Sequence, residues 1–146
     1  MRLKTLAAIA ALLGVPALVQ PAMAGAAGDR AMQRIQAIGA GDIPTITAAY
    51  APGATLHWVG GPLDGTYSGA QLGETWTKFT KAQGALKASV ANLQESVNPK
   101  GTTVTANVLF SGQNQVKVRY VLTYRDDKLV GEIWQIDPAL AVAAAN

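Results

Sequence analysis

Apolar and polar residues alternate most regularly near the end of the chain. Every second position of one stretch is apolar: Val116, Val118, Tyr120, Leu122 and Tyr124. A period of two is typical of a half-buried strand. A second stretch of the same kind, Leu129–Ile136, follows the polar segment 125–128 and ends before Pro138, which has no N–H to donate to a sheet. The pattern predicts a long hairpin that the rest of the chain covers.

Two helices are predicted near the start of the domain. Asp29–Ile38 is predicted as a first helix that ends at Gly39. Asp42 can cap a second, short helix whose apolar face includes Tyr50, with Pro44 tolerated in its first turn. Ala54–Val59 then reads as a first strand.

A third helix carries a capping signature. Ser68, with Gln71 three residues later, has the spacing of a capping box. Leu72, Trp76 and Phe79 then recur at helical spacing. From position 86 onward the pattern changes to four long antiparallel strands separated by turns at 98–101, 111–114 and 125–128. The element order predicts an α+β domain with helices on one face of a curved antiparallel sheet.

The first 24 residues have a separate character. Arg2 and Lys4 precede an apolar run, and Ala22 and Ala24 form a small-x-small cleavage site. We therefore predict a signal peptide over residues 1–24, a domain over 25–137 and a frayed tail over 138–146. The mature protein is expected to be periplasmic or secreted, and no later segment predicts a membrane span.

Charge and composition narrow the classes of function. The full chain has 12 basic and 9 acidic residues, but cleavage removes Arg2 and Lys4 and leaves a net charge of about +1. A near-neutral domain with no run of basic residues lacks the positive surface that nucleic-acid binding requires. The absence of cysteine excludes zinc–thiolate sites and cysteine nucleophiles, and the single histidine excludes multi-histidine metal sites. We predict no metal and no cofactor.

The chain contains, in this order, the segments Gly41–Asp42, Tyr50–Leu56, Pro62–Gly69 and Lys128–Asp137. Together they resemble the NTF2-like superfamily, and in particular its SnoaL-like branch. The resemblance implies a cone, that is, a strongly bent antiparallel sheet with three helices on its concave face, enclosing a pocket and often forming a homodimer. It does not imply one activity, because this fold serves isomerases, cyclases, dehydratases and binding modules.

The resemblance also allows a test of known catalytic positions. In the ketosteroid isomerase branch, a tyrosine and two acids act at positions that correspond to Arg34, Trp58 and Tyr120. None of the three matches in type, although a tyrosine at position 120 can still donate to an oxyanion. Proton abstraction of that kind is therefore not indicated.

Glu132 stands among apolar residues in the last predicted strand. Burial would suit it for acid–base catalysis. A two-residue turn at Asp126 and Asp127 would instead place Arg119 diagonal to Glu132, within reach of a structural ion pair. A β-bulge would reverse the faces of part of the hairpin, so the sequence leaves open which face lines the pocket.

The remaining candidates follow from residue type. The candidate catalytic residues are His57, Glu132 and Tyr120. His57 is included because histidine is the only side chain whose unperturbed pKa lies near neutrality. Residues expected to contact a ligand are Tyr50, Trp58, Trp76, Arg119, Tyr120 and Trp134. The sequence thus predicts an exported domain that binds a small, largely apolar organic molecule. The alternatives are a lyase or isomerase that uses a pocket carboxylate, and a structural dimerisation module.

Overall fold

The computed structural model describes residues 25–143, so the predicted signal peptide lies outside the described residues. Three helices and one six-stranded sheet make up this part of the chain. In chain order they are α1 Ala26–Ala40, α2 Ile43–Ala48, β1 Tyr50–Val59, β2 Gly65–Ser68, α3 Ala70–Gln83, β3 Lys87–Asn98, β4 Gly101–Ser111, β5 Gln115–Arg125 and β6 Lys128–Ile136.

The sheet is strongly bent and unclosed, with the strand order β2-β1-β6-β5-β4-β3. All neighbouring strands are antiparallel except β1 and β6, which run parallel. The predicted α+β class with three helices over a strongly bent sheet is confirmed, and the four long strands β3–β6 are antiparallel as predicted. Within residues 25–143, no helix has the length and apolar character needed to cross a membrane.

Sequence signals at the helix ends predicted one cap correctly and another wrongly. Asp42 caps α2 as predicted, since its Oδ1 accepts from the Thr45 N–H at 3.2 Å. The capping box predicted for α3 is wrong: Ser68 ends β2, and Gly69 is the residue before the helix, with no side-chain cap. Tyr50 also differs from prediction, because it begins β1 and not the face of α2.

The tail packs on the convex face of the sheet as far as it is described. Leu140 and Val142 are buried against Leu109, with Ala91 beside them. The expectation of a frayed tail is therefore wrong at Leu140 and Val142, because two apolar side chains find a buried partner there.

The main core lies between the helices and the concave face. Alternate residues of β4 and β5 enter it, including Val104, Val108, Val118 and Leu122, each with 0% exposure. Apolar residues of α1, among them Ile35 and Ile38, cover them from the other side.

Candidate functional site

Arg34 is the least expected residue of the core. It lies on α1 one turn from Ala31 and Ile38, on the stripe that faces the sheet, and it is 3% exposed. A buried arginine needs a charged partner and several acceptors, because its guanidinium carries five N–H donors.

Glu132 of β6 is that partner. Arg34 Nη2 donates to Glu132 Oε1 and Arg34 Nε donates to Glu132 Oε2, both at 3.0 Å. This is the two-pronged geometry that suits a guanidinium and a carboxylate best. Arg34 Nη1 donates to the carbonyl of Ile46 at 2.7 Å, which ties α2 to the same pair. The side chains of Arg34 and Glu132 are 2% and 0% exposed.

Three aromatic side chains complete the hydrogen bonds. The Tyr50 hydroxyl donates to Glu132 Oε1, and the Tyr120 hydroxyl donates to Oε2. Trp76 Nε1 donates to the Tyr50 hydroxyl at 2.7 Å, and Arg34 Nε also donates to the Tyr120 hydroxyl at 2.9 Å. We call these five residues, Arg34, Tyr50, Trp76, Tyr120 and Glu132, the buried polar network.

The network holds its groups in defined protonation states. Burial is the largest single influence and acts to lower the pKa of Arg34, but the electrostatic interactions with Glu132, Tyr120 and Tyr50 and the hydrogen bonds to Glu132 together hold that pKa well above its usual range. Burial, followed by the charge of Glu132, raises the pKa of Tyr50. Burial likewise raises the pKa of Tyr120. The site therefore contains a charged guanidinium beside neutral phenols.

The carboxylate has little capacity left for chemistry. Each oxygen of Glu132 already accepts one bond from Arg34 and one from a tyrosine, which fills about four acceptor sites. With a fully buried side chain, Glu132 has no surface to offer a ligand. The arrangement can hold together α1, α2, α3, β1, β5 and β6, since each supplies a member or a contact.

Aromatic rings fill the interior beside the network. Trp134, with 0% exposure, has five ring neighbours at centroid distances of 5.0–5.4 Å. They are Trp58, Trp76, Phe79, Phe110 and Tyr120. Most of these pairs are tilted or edge-to-face, as aromatic rings prefer. The deep part of the cone is thus occupied by the protein's own side chains.

A cavity of about 270 Å³ lies between the last turns of α3 and the ends of β1 and β6. We call it the mouth cavity. Its lining is mainly apolar and comes from the end of β1, the β1–β2 loop, the last turns of α3, the start of β5 and the end of β6. The residues are Trp58, Pro62, Leu63, Lys78, Phe79, Ala82, Gln83, Val116 and Ile136.

The structure divides the candidate residues into two groups. Tyr50, Trp58, Trp76, Tyr120, Trp134 and Glu132 all lie in the buried polar network or the aromatic cluster. His57 and Arg119 are exposed at strand positions that alternate with Trp58 and Tyr120, so they point to the convex face. His57 Nδ1 lies 3.2 Å from the Thr66 hydroxyl.

The predicted register of the hairpin is wrong by one residue over most of its length. The two-residue turn forms as expected, with Arg125 opposite Lys128. Beyond it, an extra residue at Val130 shifts the pairing, so that Glu132 faces Leu122. Glu132 therefore points into the core and pairs with Arg34, and not with Arg119.

Arg34 is a site residue that the sequence did not predict. The only expectation at this position was the catalytic tyrosine of the ketosteroid isomerase branch, which Arg34 does not match. A signal was present: Arg34 follows Ala31 by three positions and precedes Ile38 by four, which puts a charge on the apolar stripe of α1. Together with a carboxylate among apolar strand residues, that placement is typical of a buried ion pair.

Comparisons with known proteins give the fold. No model of a protein family matches the chain, and no curated protein matches it. Among solved structures it is similar to a SnoaL-like protein of unknown function from Burkholderia thailandensis, with 16% identity, 78% of this chain and 97% of that chain covered, and a TM-score of 0.61. An NTF2-like protein of unknown function from Pseudomonas putida has 18% identity, 77% and 88% coverage, and a TM-score of 0.60.

A third structure has an activity proposed for it. It is a proposed dehydratase of the NTF2-like family from Streptomyces avermitilis, with 15% identity, 77% of this chain and 95% of that chain covered, and a TM-score of 0.61. The chain therefore has the NTF2-like fold that its sequence resembles.

Proposed function

We propose that this chain, with its NTF2-like fold, binds a small and largely apolar organic molecule in the mouth cavity. The observation that carries the proposal is the cavity itself. Its volume of about 270 Å³ lies just below the 300–1,000 Å³ of ordinary ligand pockets. Trp58, Phe79, Leu63 and Ile136 supply apolar walls, and Lys78 and Gln83 supply polar groups near them.

The filled interior limits where such a ligand lies. Trp134 and Phe79, whose ring centroids are 5.4 Å apart, both belong to the main core, and Phe79 also lines the mouth cavity. A ligand in the cavity would contact Trp58 and Phe79, and Glu132 does not line the cavity. Binding without acid–base chemistry at Glu132 is the function that this geometry supports best.

A titration with 1-octanol tests the proposal. Its nine non-hydrogen atoms predict a dissociation constant on the order of 0.1–1 mM at ordinary ligand efficiency. Methyl resonances of Leu63, Val116 and Ile136 should shift together as octanol is added. Absence of these shifts up to the solubility limit would contradict the proposal.

A matched pair of variants locates the site. Ala82→Phe fills the mouth cavity from α3, whereas Ala70→Phe adds the same bulk at the other end of that helix, outside the cavity lining. We expect Ala82→Phe to weaken octanol binding by about tenfold or more and Ala70→Phe to leave it unchanged. Equal affinities in both variants would place the ligand elsewhere.

Dimerisation is a second proposed function. The convex face exposes Val59 and Ile133, each 41% accessible, and Val121 lies opposite Ile133 on the neighbouring strand. Such an apolar area on a sheet face favours a second copy of the chain. We propose a homodimer through this face, which Ile133→Lys should convert to a monomer in native mass spectrometry.

We further propose that the mature protein starts at Gly25 and is exported. The support is the charge and apolar pattern of residues 1–24. Determination of the N-terminal residue of protein taken from the periplasm of its host tests this, and recovery of the chain with Met1 would contradict it.

A further inference from the structure

The start of α1 has no cap of its own. Gly25 is the N-cap residue, and it has no side chain that could accept from the first N–H groups of the helix. Glu95 of β3 supplies the acceptor instead, since its Oε1 accepts from the N–H of Gly28. A carboxylate also suits the positive end of a helix dipole. A strand residue 67 positions away therefore caps α1.

The Glu95 carboxylate lies directly against Gly25. A Cβ atom at position 25 would collide with Glu95 Oε2 and would lie 3.2 Å from both Cδ and Oε1. The nitrogen and the Cβ of one residue are about 2.5 Å apart, so the Gly25 nitrogen lies within about 5 Å of Oε2. Among residues 25–143, no donor forms a hydrogen bond with Oε2. One oxygen of this carboxylate is thus engaged by the helix, and the other lies beside Gly25 without a donor.

Gly25 is also the first residue after the proposed cleavage site. In the uncleaved chain its nitrogen is an uncharged amide, whereas cleavage after Ala24 would leave a primary amine that is mostly protonated at pH 7. We propose that the new ammonium group of Gly25 forms an ion pair with Glu95, so that removal of residues 1–24 completes the N-terminal end of α1. This inference rests on the proposed processing site.

The surroundings of Gly25 favour a cation only because acids are present. An ammonium group by itself is unfavourable at the positive end of the α1 dipole. The charged and titratable groups near it are Asp29 and Arg30 in the first turns of α1, Glu95 of β3, Tyr124 of β5, and Asp126 and Asp127 in the turn before β6. Arg30 is the one base that lines the cleft beside Gly25, and it is already paired with Asp127 at 3.1 Å. The ammonium group therefore has carboxylates available to offset the dipole.

Two forms of the chain test the ion pair. One consists of residues 25–146 and begins with the free amine of Gly25. The other consists of residues 22–146, so that its ammonium group lies up to about 10 Å from Gly25 along the chain. At pH 7 and low ionic strength, we expect the form that begins at Gly25 to have a melting temperature about 3 °C higher, as one partly exposed ion pair supports.

Glu95→Gln in both forms assigns the difference to this carboxylate. Glutamine keeps an acceptor for the N–H of Gly28 but carries no charge, so the two forms should then melt at the same temperature. The control, Glu74→Gln, removes the same charge from α3, which does not line the cleft beside Gly25, and should keep the difference of about 3 °C.

The pH dependence is a second readout that needs no variant. A group whose pKa is raised by folding contributes its full stability below the unfolded-state pKa, which is about 7.7–8.0 for an α-amino group. That contribution is lost as the pH rises through the folded-state pKa. The difference between the two forms should therefore disappear by about pH 9.5, while Tyr124 titrates alike in both.

The outcomes separate the ion pair from the processing site. Equal melting temperatures of the two forms at pH 7 overturn the ion pair, and so does a difference that persists in Glu95→Gln or at high pH. These measurements use chains of defined start and do not depend on where the host cleaves. Protein from the host that begins at a residue other than Gly25 refutes the processing site, and with it the role of the ion pair.

Discussion

Replacing Arg34 by Met should destabilise the protein far more than an ordinary core substitution. The change removes both hydrogen bonds that the guanidinium donates to Glu132 and the one to the Ile46 carbonyl. It leaves a carboxylate of 0% exposure with only the hydroxyls of Tyr50 and Tyr120 as donors. Breaking a buried ion pair in this way costs about 3–5 kcal/mol.

Glu132→Gln should cost a similar amount because it leaves the guanidinium buried without a counter-ion. The double variant Arg34→Met/Glu132→Gln should cost clearly less than the sum of the two single changes, by about 2–3 kcal/mol. The reason is chemical: the amide of Gln can accept from one tyrosine hydroxyl and donate to the other, so a neutral network replaces the charged one.

The same helix offers a control. Arg30 forms an ion pair with Asp127 at 3.1 Å, but the two side chains are 36% and 77% exposed. Arg30→Met should therefore cost no more than about 1 kcal/mol. Urea unfolding followed by circular dichroism measures the free energy of unfolding of all four variants. In thermal unfolding, each kcal/mol of lost stability should lower the melting temperature by about 4 °C. Equal losses for Arg30→Met and Arg34→Met, or strictly additive effects at positions 34 and 132, would refute the reasoning.

Three further predictions concern the backbone, the tyrosines and the tail. Gly39→Ala should lower the free energy of unfolding by about 1–3 kcal/mol, since the new Cβ would lie 2.6 Å from the carbonyl oxygen of Leu86. Gly73→Ala on α3, whose new Cβ has its nearest contact at 3.5 Å, should raise that free energy by up to about 1 kcal/mol. Urea unfolding measures both changes, and effects of the same sign would contradict the packing. Burial raises the pKa of Tyr124 to about 12, so its contribution to stability is complete below pH 10 and is lost as the pH rises from 10 to about 12. In unfolding experiments over this pH range, the Tyr124→Phe variant should lose stability less steeply than the unaltered protein. Identical slopes in the two proteins would argue against the raised pKa. Leu140→Ala should lower the stability by about 2 kcal/mol because Leu140 is only 6% exposed. Val97→Ala should be nearly neutral because Val97 is 71% exposed. Equal effects of the two changes in thermal unfolding would mean that the tail does not pack on the sheet.

Local information in the sequence determined most of the elements. The alternation over 116–124 produced β5 nearly as predicted, and Asp42 capped α2 because a cap depends on residues only three positions apart. The two-residue turn at Asp126 and Asp127 also formed, with both residues at positive φ. The order of the predicted elements indicated the α+β class, and the resemblance to NTF2-like proteins implied the bent sheet with three helices.

The tertiary structure alone decided the site. The extra residue at Val130 turned Glu132 into the core, and a bulge of this kind depends on how β6 pairs with β5 and β1 and not on its own pattern. Arg34 and Glu132 are 98 positions apart, so no local signal joins them. The filling of the cone by Trp134 and its neighbours, and the mouth cavity, depend on side-chain volumes brought together from five elements. Such packing is a property of the assembled fold, and periodicity along the chain cannot encode it.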